Sequence, residues 1–188
     1  MAWNWELAGW PKFKWNPEFL RVREQAFMEN AAIAVGTMRH LGKDDREEVV
    51  IELLSSDALS TSAIEADLYR HPHDPITEER LFEWHRMVMN GRRDIVDIGT
   101  YRRHGEPMQI VSGAFGRQRV HFEAPPSDHL AAEMGRLLEW LEQTSPEGLD
   151  PLAALTRAGI AHLWFESVHP FEDGNGRIGR AIAESALA

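Results

Sequence analysis

Twelve consecutive residues near the end of the chain, His169 to Arg180, constrain its fold and chemistry more than any other stretch. They read His-Pro-Phe-Glu-Asp-Gly-Asn-Gly-Arg-Ile-Gly-Arg. A Gly-Asn-Gly turn in front of a helix-compatible run, residues 177–187, predicts a tight loop that leads into a helix. The first amide groups of a helix have no partner within it, and the helix dipole places partial positive charge at the same end. A phosphate is therefore favoured at this position.

The charged side chains of this stretch suit a ligand that carries phosphate. Arg177 and Arg180 lie three residues apart, so both can project from one side of the helix. Asp173 is a candidate ligand for Mg²⁺, which commonly takes one or two carboxylates together with substrate phosphates. His169 precedes these groups, where a general base for an attacking hydroxyl is needed. The residues alone predict a site for a magnesium nucleotide or a phosphate, and the alternative is a plain loop-to-helix connection.

This stretch resembles the Fic family signature, His-Pro-Phe-x-(Asp/Glu)-Gly-Asn-Gly-Arg-x-x-Arg, at every fixed position. Fic proteins mostly transfer AMP from ATP to a Ser, Thr or Tyr hydroxyl of a target protein. The resemblance implies that His169 is the catalytic base and that Asp173 binds Mg²⁺ or Mn²⁺. It also implies that the phosphates of ATP are held by the remaining polar and glycine positions of the signature, namely Gly174, Asn175, Gly176, Arg177 and Arg180.

The glycines of the turn bear on which group is transferred. Fic proteins that transfer a plain phosphate replace the glycines around the Asn, whereas this chain keeps Gly174 and Gly176. The resemblance therefore favours AMP transfer over phosphorylation. Three alternatives stay open: removal of AMP with Glu65 orienting a water, transfer of another nucleotide or phosphate group, and a non-catalytic module that binds a partner peptide.

A second point of resemblance lies before the catalytic core. Thr61-x-x-x-Glu65 resembles the autoinhibitory motif (Ser/Thr)-x-x-x-Glu-(Gly/Asn) of Fic proteins that carry it N-terminal to the core, with Ala66 as a departure. The resemblance implies that Glu65 pairs with Arg180 and keeps the γ-phosphate of ATP out of its productive position. The alternative is a solvated glutamate on a helix.

Helical periodicity and capping residues divide the rest of the chain into helices and one hairpin. The expected helices cover residues 17–41, 44–68, 78–90, 127–142, 150–167 and 177–187. Two β-like runs, 108–111 and 119–122, flank a glycine-rich turn and predict a hairpin. In Fic proteins a hairpin here, the flap, aligns the target segment beside the catalytic His. The flap residues expected to dock a target are Ile110, Val111, Val120 and His121.

The predicted fold class is mainly α, a Fic-type helical bundle with one β-hairpin. Residues 1–43 are expected to form a Trp-rich arm and a helix, and residues 44–188 the catalytic domain, truncated at its C-terminus. The indoles of the arm should pack on the body. The arm also resembles the N-terminal extension of one group of bacterial Fic proteins, so a bacterial origin is expected.

Composition limits the classes of partner. The net charge of −10, from 30 acidic and 20 basic residues, argues against nonspecific binding to nucleic acid or to an anionic membrane. The chain has no cysteine, which excludes a disulfide framework and a Cys-based metal site. No apolar run approaches the length of a membrane span. We therefore expect a soluble cytoplasmic protein. The resemblance implies an enzyme that acts on a target protein, with self-modification and a homodimer left open.

Overall fold

The computed structural model describes residues 2–40, 58–113 and 117–187. In this part of the chain, six α-helices and one two-stranded antiparallel sheet form the regular structure. The helices are α1 (Pro17–His40), α2 (Ala58–Arg70), α3 (Glu78–Val88), α4 (Leu130–Gln143), α5 (Ala154–Val168) and α6 (Asn175–Leu187). The strands are β1 (Gln109–Ser112) and β2 (Arg119–Glu123). The predicted fold class, mainly α with one hairpin, is confirmed.

Three helices start elsewhere than predicted. The helix expected from residue 127 becomes α-helical only at Leu130, after a 3-10 helix over Ser127–His129. The helix expected from residue 150 begins at Ala154, because the amides of Asp150 and Leu152 donate back to carbonyls at the end of α4. The helix expected from residue 177 begins at Asn175. Residues 44–57 of the helix expected over residues 44–68 lie outside the described residues, as does the expected domain boundary between residues 43 and 44.

The core lies between α3, α4, α5 and α6, and α5 packs against α1, α4 and α6. Its fully buried side chains include Leu81, Trp84, Leu137, Phe165 and Ile182. Burial of one large apolar side chain contributes about 1.5–3 kcal/mol, so this shared interface fixes α6 against α5. The signature loop runs from the end of α5 to the start of α6.

Asp67 ties α2 to α3. Its Oδ2 accepts hydrogen bonds from Trp84 Nε1 at 2.8 Å and from Arg80 Nε at 3.0 Å. Arg80 is held in turn by the capping of α3, where its amide donates to Thr77 Oγ1 at 3.2 Å, as expected of an N-cap threonine. Because α2 also packs against α6, these hydrogen bonds help to hold α2 next to the signature helix.

The N-terminal arm packs on the body, as predicted for its indoles. Trp10 Nε1 donates to Glu133 Oε2 at 2.9 Å, and Trp5 Nε1 donates to the carbonyl of Glu123 at 2.7 Å. The arm thus contacts both α4 and the end of β2. Trp15 differs, since it remains 42% exposed. Among the described helices, none has the length and apolar character that crossing a bilayer requires.

Candidate active site

The backbone presents His169 in an unusual conformation. His169 ends α5 with φ +50° and ψ +60°, and in the described part of the chain it is the single non-glycine residue with positive φ. Such a conformation costs energy and persists only where the surroundings impose it. Here the amide of His169 donates to Phe165 O at 2.9 Å, and the following Pro170 carbonyl accepts from the amide of Arg102 at 2.9 Å.

A buried arginine holds this loop from the other side. Arg102 is 1% exposed, and its guanidinium donates to the carbonyl of His169 at 3.0 Å and to that of Pro125 at 2.6 Å. Burial lowers the pKa of Arg102 from its ordinary value. Pro125 lies two residues after the end of β2, so Arg102 joins the loop carrying His169 to the base of the hairpin.

The imidazole of His169 is half-buried and poised as a base. Burial lowers its pKa from the ordinary value, and the charge of Arg102 lowers it further. A hydrogen bond from the ring to the backbone carbonyl of Glu166 acts in the opposite direction. Because Nδ1 is the ring nitrogen on the Glu166 side, the tautomer with its proton on Nδ1 leaves the lone pair of Nε2 free to accept a proton.

Asn175 braces the loop through its side chain. Its Oδ1 accepts from the amide of Phe171 at 2.9 Å, and its Nδ2 donates to the carbonyl of Phe171 at 2.8 Å. Phe171 is fully buried and stacks on the ring of His85, with centroids 4.2 Å apart. Asn175 itself is 2% exposed. Its side chain is therefore committed to the loop, and only its backbone amide is left for an anion.

The turn into α6 requires glycine at one position. Gly174 has φ +82°, and a Cβ there would lie 2.9 Å from Met89 Cε and 3.1 Å from Val88 Cγ1. Its carbonyl accepts from the amides of Arg177 and Ile178, which starts the helix. The first two amides of the helix, those of Asn175 and Gly176, have no acceptor within the helix, so they form an anion cradle at this end of α6.

Asp173 places one carboxylate beside this cradle. Its Oδ1 accepts from the Gly174 amide at 2.6 Å, and its Oδ2 accepts from Arg92 Nη1 at 2.8 Å. Burial raises the pKa of Asp173, but the Gly174 amide and Arg92 outweigh that effect, so the pKa lies below its ordinary value. The described residues contain no cluster of three or more acidic or His side chains that could hold a metal. Asp173 is therefore an ionised carboxylate beside the cradle that could hold a divalent cation.

The signature residues line one cavity of about 250 Å³. Its walls are His169, Glu172, Asp173, Gly174, Asn175, Gly176, Arg177 and Arg180. A larger cavity of about 790 Å³ lies elsewhere, with Pro72 and Leu138 among its walls, and none of the signature residues that the structure describes lines it. The smaller cavity combines a histidine, two carboxylates, an anion cradle and two guanidiniums, so we take it as the candidate site.

Comparison with known proteins agrees with this arrangement. The model of the Fic/DOC family matches residues 75–187, which is more than half of the chain. This chain belongs to the Fic/DOC family. A second model, a domain of unknown function called DUF4172, matches residues 3–71, so the two matches meet in the loop between α2 and α3.

Several Fic relatives share both sequence and fold with this chain. Protein adenylyltransferase fic-1 of Caenorhabditis elegans is 30% identical over 173 residues, covering 87% of this chain and 30% of the relative. A Fic family protein of Desulfovibrio desulfuricans superposes with a TM-score of 0.60 at 25% identity, covering 94% of this chain and 59% of that one. A Fic domain signaling protein of Bacteroides thetaiotaomicron superposes with a TM-score of 0.54 at 25% identity, covering 69% and 45%. The chain thus spans about a third of the curated relative's length.

The Fic flap presents its predicted docking residues to solvent. Val111 pairs with Val120 across the hairpin, and Ile110 pairs with Phe122, which leaves His121 at an irregularity of the ladder. Ile110 is 60% exposed, Val111 41% and Val120 38%. His121 is also exposed, and its Nε2 lies 2.6 Å from Ser112 Oγ. Both edges of this two-stranded sheet are free of further strands in the described part of the chain.

Glu65 lies next to the Fic signature helix but is not paired with Arg180. Its Oε2 is buried and has no hydrogen-bond partner among the described residues. No ion pair within 4.0 Å joins Glu65 to Arg180, both of which the structure describes, so the expected pair is not formed here. Burial raises the pKa of Glu184, the charge of Glu65 raises it further, and Arg180 opposes both. The carboxylate of Glu65 therefore acts on the same neighbourhood as Arg180. The side chain of Thr61 lies outside the described residues.

Sequence reasoning missed several residues that shape the Fic site. Arg102 and Arg92 contact loop residues 67 and 81 positions away in the chain, so no local pattern could reveal them. Glu166 is different, because it precedes His169 by three residues on one helix. Spacing alone places it on the His169 side, and that signal was present in the sequence.

Proposed function

We propose that this chain transfers AMP from ATP to a Ser, Thr or Tyr hydroxyl of a target protein. The observation that carries the proposal is the neutral, half-buried His169 in the same cavity as an ionised carboxylate, a helix N-terminus and two arginines. Relatives named protein adenylyltransferase support the same chemistry. Incubation with magnesium and ATP, followed by intact-mass analysis of the chain and candidate targets, tests the proposal. Addition of AMP supports it, and phosphate addition or no addition contradicts it.

In the proposed reaction the protein forms no covalent bond to the substrate; it moves a proton and positions the reacting groups. Nε2 of His169 takes the proton of the target hydroxyl while the hydroxyl oxygen forms a bond to the α-phosphorus of ATP. The bond from that phosphorus to the bridging oxygen breaks, and pyrophosphate leaves. The amides at the start of α6 face the negative charge on the transferred phosphate, and Arg177 and Arg180 bind the β- and γ-phosphates. Positioning and charge stabilisation of this kind account for most of the catalysis in phosphoryl-type transfers.

Asp173 fits a role as the protein's ligand for Mg²⁺ or Mn²⁺. One ionised carboxylate at the rim of a phosphate site is what Mg²⁺ commonly uses, with phosphates and water completing its shell. When bound, the ion neutralises charge on the phosphate oxygens. Arg92 donates to the same carboxylate. It also donates to Asp94, from Nη2 at 2.6 Å and from Nε at 2.7 Å. Arg92 thus occupies one lone-pair direction that a metal would also use.

Asp173→Asn should weaken the magnesium-dependent part of ATP binding by about tenfold. Changes around metal sites commonly cost about 10–100-fold in affinity, and the lower end is expected because Arg92 already competes for this carboxylate. Calorimetric titration of ATP at several magnesium concentrations measures the effect. Glu139→Gln, an exposed change on α4, is the control. Unchanged magnesium dependence in the Asn variant contradicts the metal assignment.

The flap is proposed to bind the target backbone as an added strand. Val120→Pro removes one amide donor from β2 and should raise the KM for a protein target about five- to thirtyfold. The estimate takes the loss of one or two backbone hydrogen bonds at about 1–2 kcal/mol in total. ATP affinity, measured in parallel, should stay within about twofold because the flap does not line the phosphate cavity. Equal loss of target and ATP binding would instead indicate a structural hairpin.

Removal of AMP from a modified protein is the second candidate. Glu65 favours it, since its buried Oε2 lacks a hydrogen-bond partner in the described chain and could orient an attacking water. Release of AMP from a previously modified target, with no ATP present, distinguishes this reaction from transfer.

A further inference from the structure

A carboxylate, that of Glu166, lies on the Nδ1 side of the proposed base, His169. Glu166 lies one helical turn before His169 on α5, and its Oε2 is 3.9 Å from His169 Nδ1. Its other oxygen, Oε1, is 3.7 Å from His162 Nε2 and has no hydrogen-bond partner among the described residues. The Glu166 side chain is 31% exposed, so solvent screens its charge only in part.

The backbone of α6 closes the space around this carboxylate. A Cβ at Gly179 would lie 2.5 Å from Glu166 Oε1 and 3.0 Å from His162 Cδ2. The first distance is shorter than a Cβ contact can be and the second is tight, so any side chain at 179 would displace the end of Glu166 or α6. The glycine lets the signature helix approach α5 closely, and this holds the carboxylate on the Nδ1 side of the His169 ring.

We propose that Glu166 is a positioning residue for His169, whose carboxylate faces Nδ1 and stabilises the positive ring formed when His169 takes a proton. The inference rests on the proposed role of His169 as a base. A general base in an activated site is commonly oriented by a third group on its far side. An opposite charge within about 4–6 Å also favours the charged form of a titrating group, and 3.9 Å lies inside that range.

The other charges around the pair do not replace Glu166. Arg102 lowers the pKa of His169 and Asp173 raises it. Burial raises the pKa of Glu166 above its ordinary value, and the charges of His162 and Arg180 offset only part of that rise. Asp173 belongs to the phosphate cavity, where a bound metal would neutralise it. Glu166 is then the carboxylate that still faces the ring during the reaction.

The direct test measures the protonation of the His169 ring rather than turnover. In the complete chain labelled at histidine, the ring signal of His169 is identified by its loss in His169→Gln and followed by NMR over a pH series. Glu166→Gln keeps the size of the side chain and removes its charge. We expect the pKa of His169 to fall by about one unit in this variant. Glu142→Gln, an exposed change on α4, should leave it unchanged.

Two further readouts separate positioning from a merely structural role. In Glu166→Gln, the acid limb of kcat/KM for AMP transfer should move to lower pH by the same amount, and kcat should fall more than the KM for ATP rises. Gly179→Ala, which displaces the carboxylate without removing it, should shift the His169 signal in the same direction. An unchanged pKa of His169 in Glu166→Gln, or an equal shift in Glu142→Gln, overturns the proposal. The NMR result holds whether or not AMP transfer is found, so failure of the proposed function is seen separately.

Discussion

Replacing His169 by alanine should lower AMP transfer by about 10²–10⁴-fold, the usual contribution of a positioned general base. Nucleotide binding should remain nearly unchanged, because the anion cradle and both arginines belong to α6 and its preceding turn rather than to the imidazole. Single-turnover rates with radiolabelled ATP measure transfer, and calorimetry measures ATP affinity. A fall in kcat with constant affinity identifies an interaction made in the transition state.

The control for this substitution is another histidine. His129→Ala changes an exposed ring at the start of α4 and should leave both transfer and ATP affinity as they are. Since the positive φ of His169 is held by Arg102 and by the chain on either side, alanine at 169 should fold with a melting temperature close to that of the parent. Near-normal transfer in His169→Ala, with an intact fold, would exclude this residue as the base.

The site was largely predictable because its chemistry is contiguous in the chain. A loop of fixed sequence followed by a helix places His169, Asp173 and the two arginines by local geometry alone, and the structure brings them to one cavity. Asn175 shows the limit of such reasoning. Its residue type suits an anion site, but its side chain turns inward because the two backbone groups of Phe171 need partners inside the core.

What the sequence could not supply is the set of long-range partners that hold the loop. Arg102 reaches the His169 carbonyl from a loop 67 residues earlier, and its own position depends on the Pro125 carbonyl at the flap base. Such contacts follow from how α5, α6 and the hairpin pack, which no periodicity encodes. The predicted ion pair between Glu65 and Arg180 also depended on packing, and the structure places the two groups in one neighbourhood without joining them.

Glu65→Gly should raise self-modification with AMP by about ten- to a hundredfold, because we propose that this carboxylate inhibits AMP transfer. Glu65 stands on α2, which packs against α6, and its buried Oε2 lacks a partner among the described residues. An unpartnered buried carboxylate is costly, and Arg180 is the cation that already acts on the adjacent Glu184. A pair between Glu65 and Arg180 would hold that guanidinium away from the γ-phosphate. A bias of about 1.4–3 kcal/mol towards the paired state gives the stated factor.

Matched variants separate the loss of the carboxylate from damage to the helix. Glycine inside a helix costs about 1 kcal/mol relative to alanine, so Glu65→Ala should activate at least as strongly as Glu65→Gly. Glu83→Gly places the same residue on an exposed face of α3 and should not activate. An unchanged rate of self-modification in both Glu65 variants would show that Glu65 does not affect how ATP is bound for transfer. If the variants instead release AMP from a modified target more slowly and transfer is unaltered, Glu65 orients the water that removes AMP. Removal needs this carboxylate, whereas transfer does not.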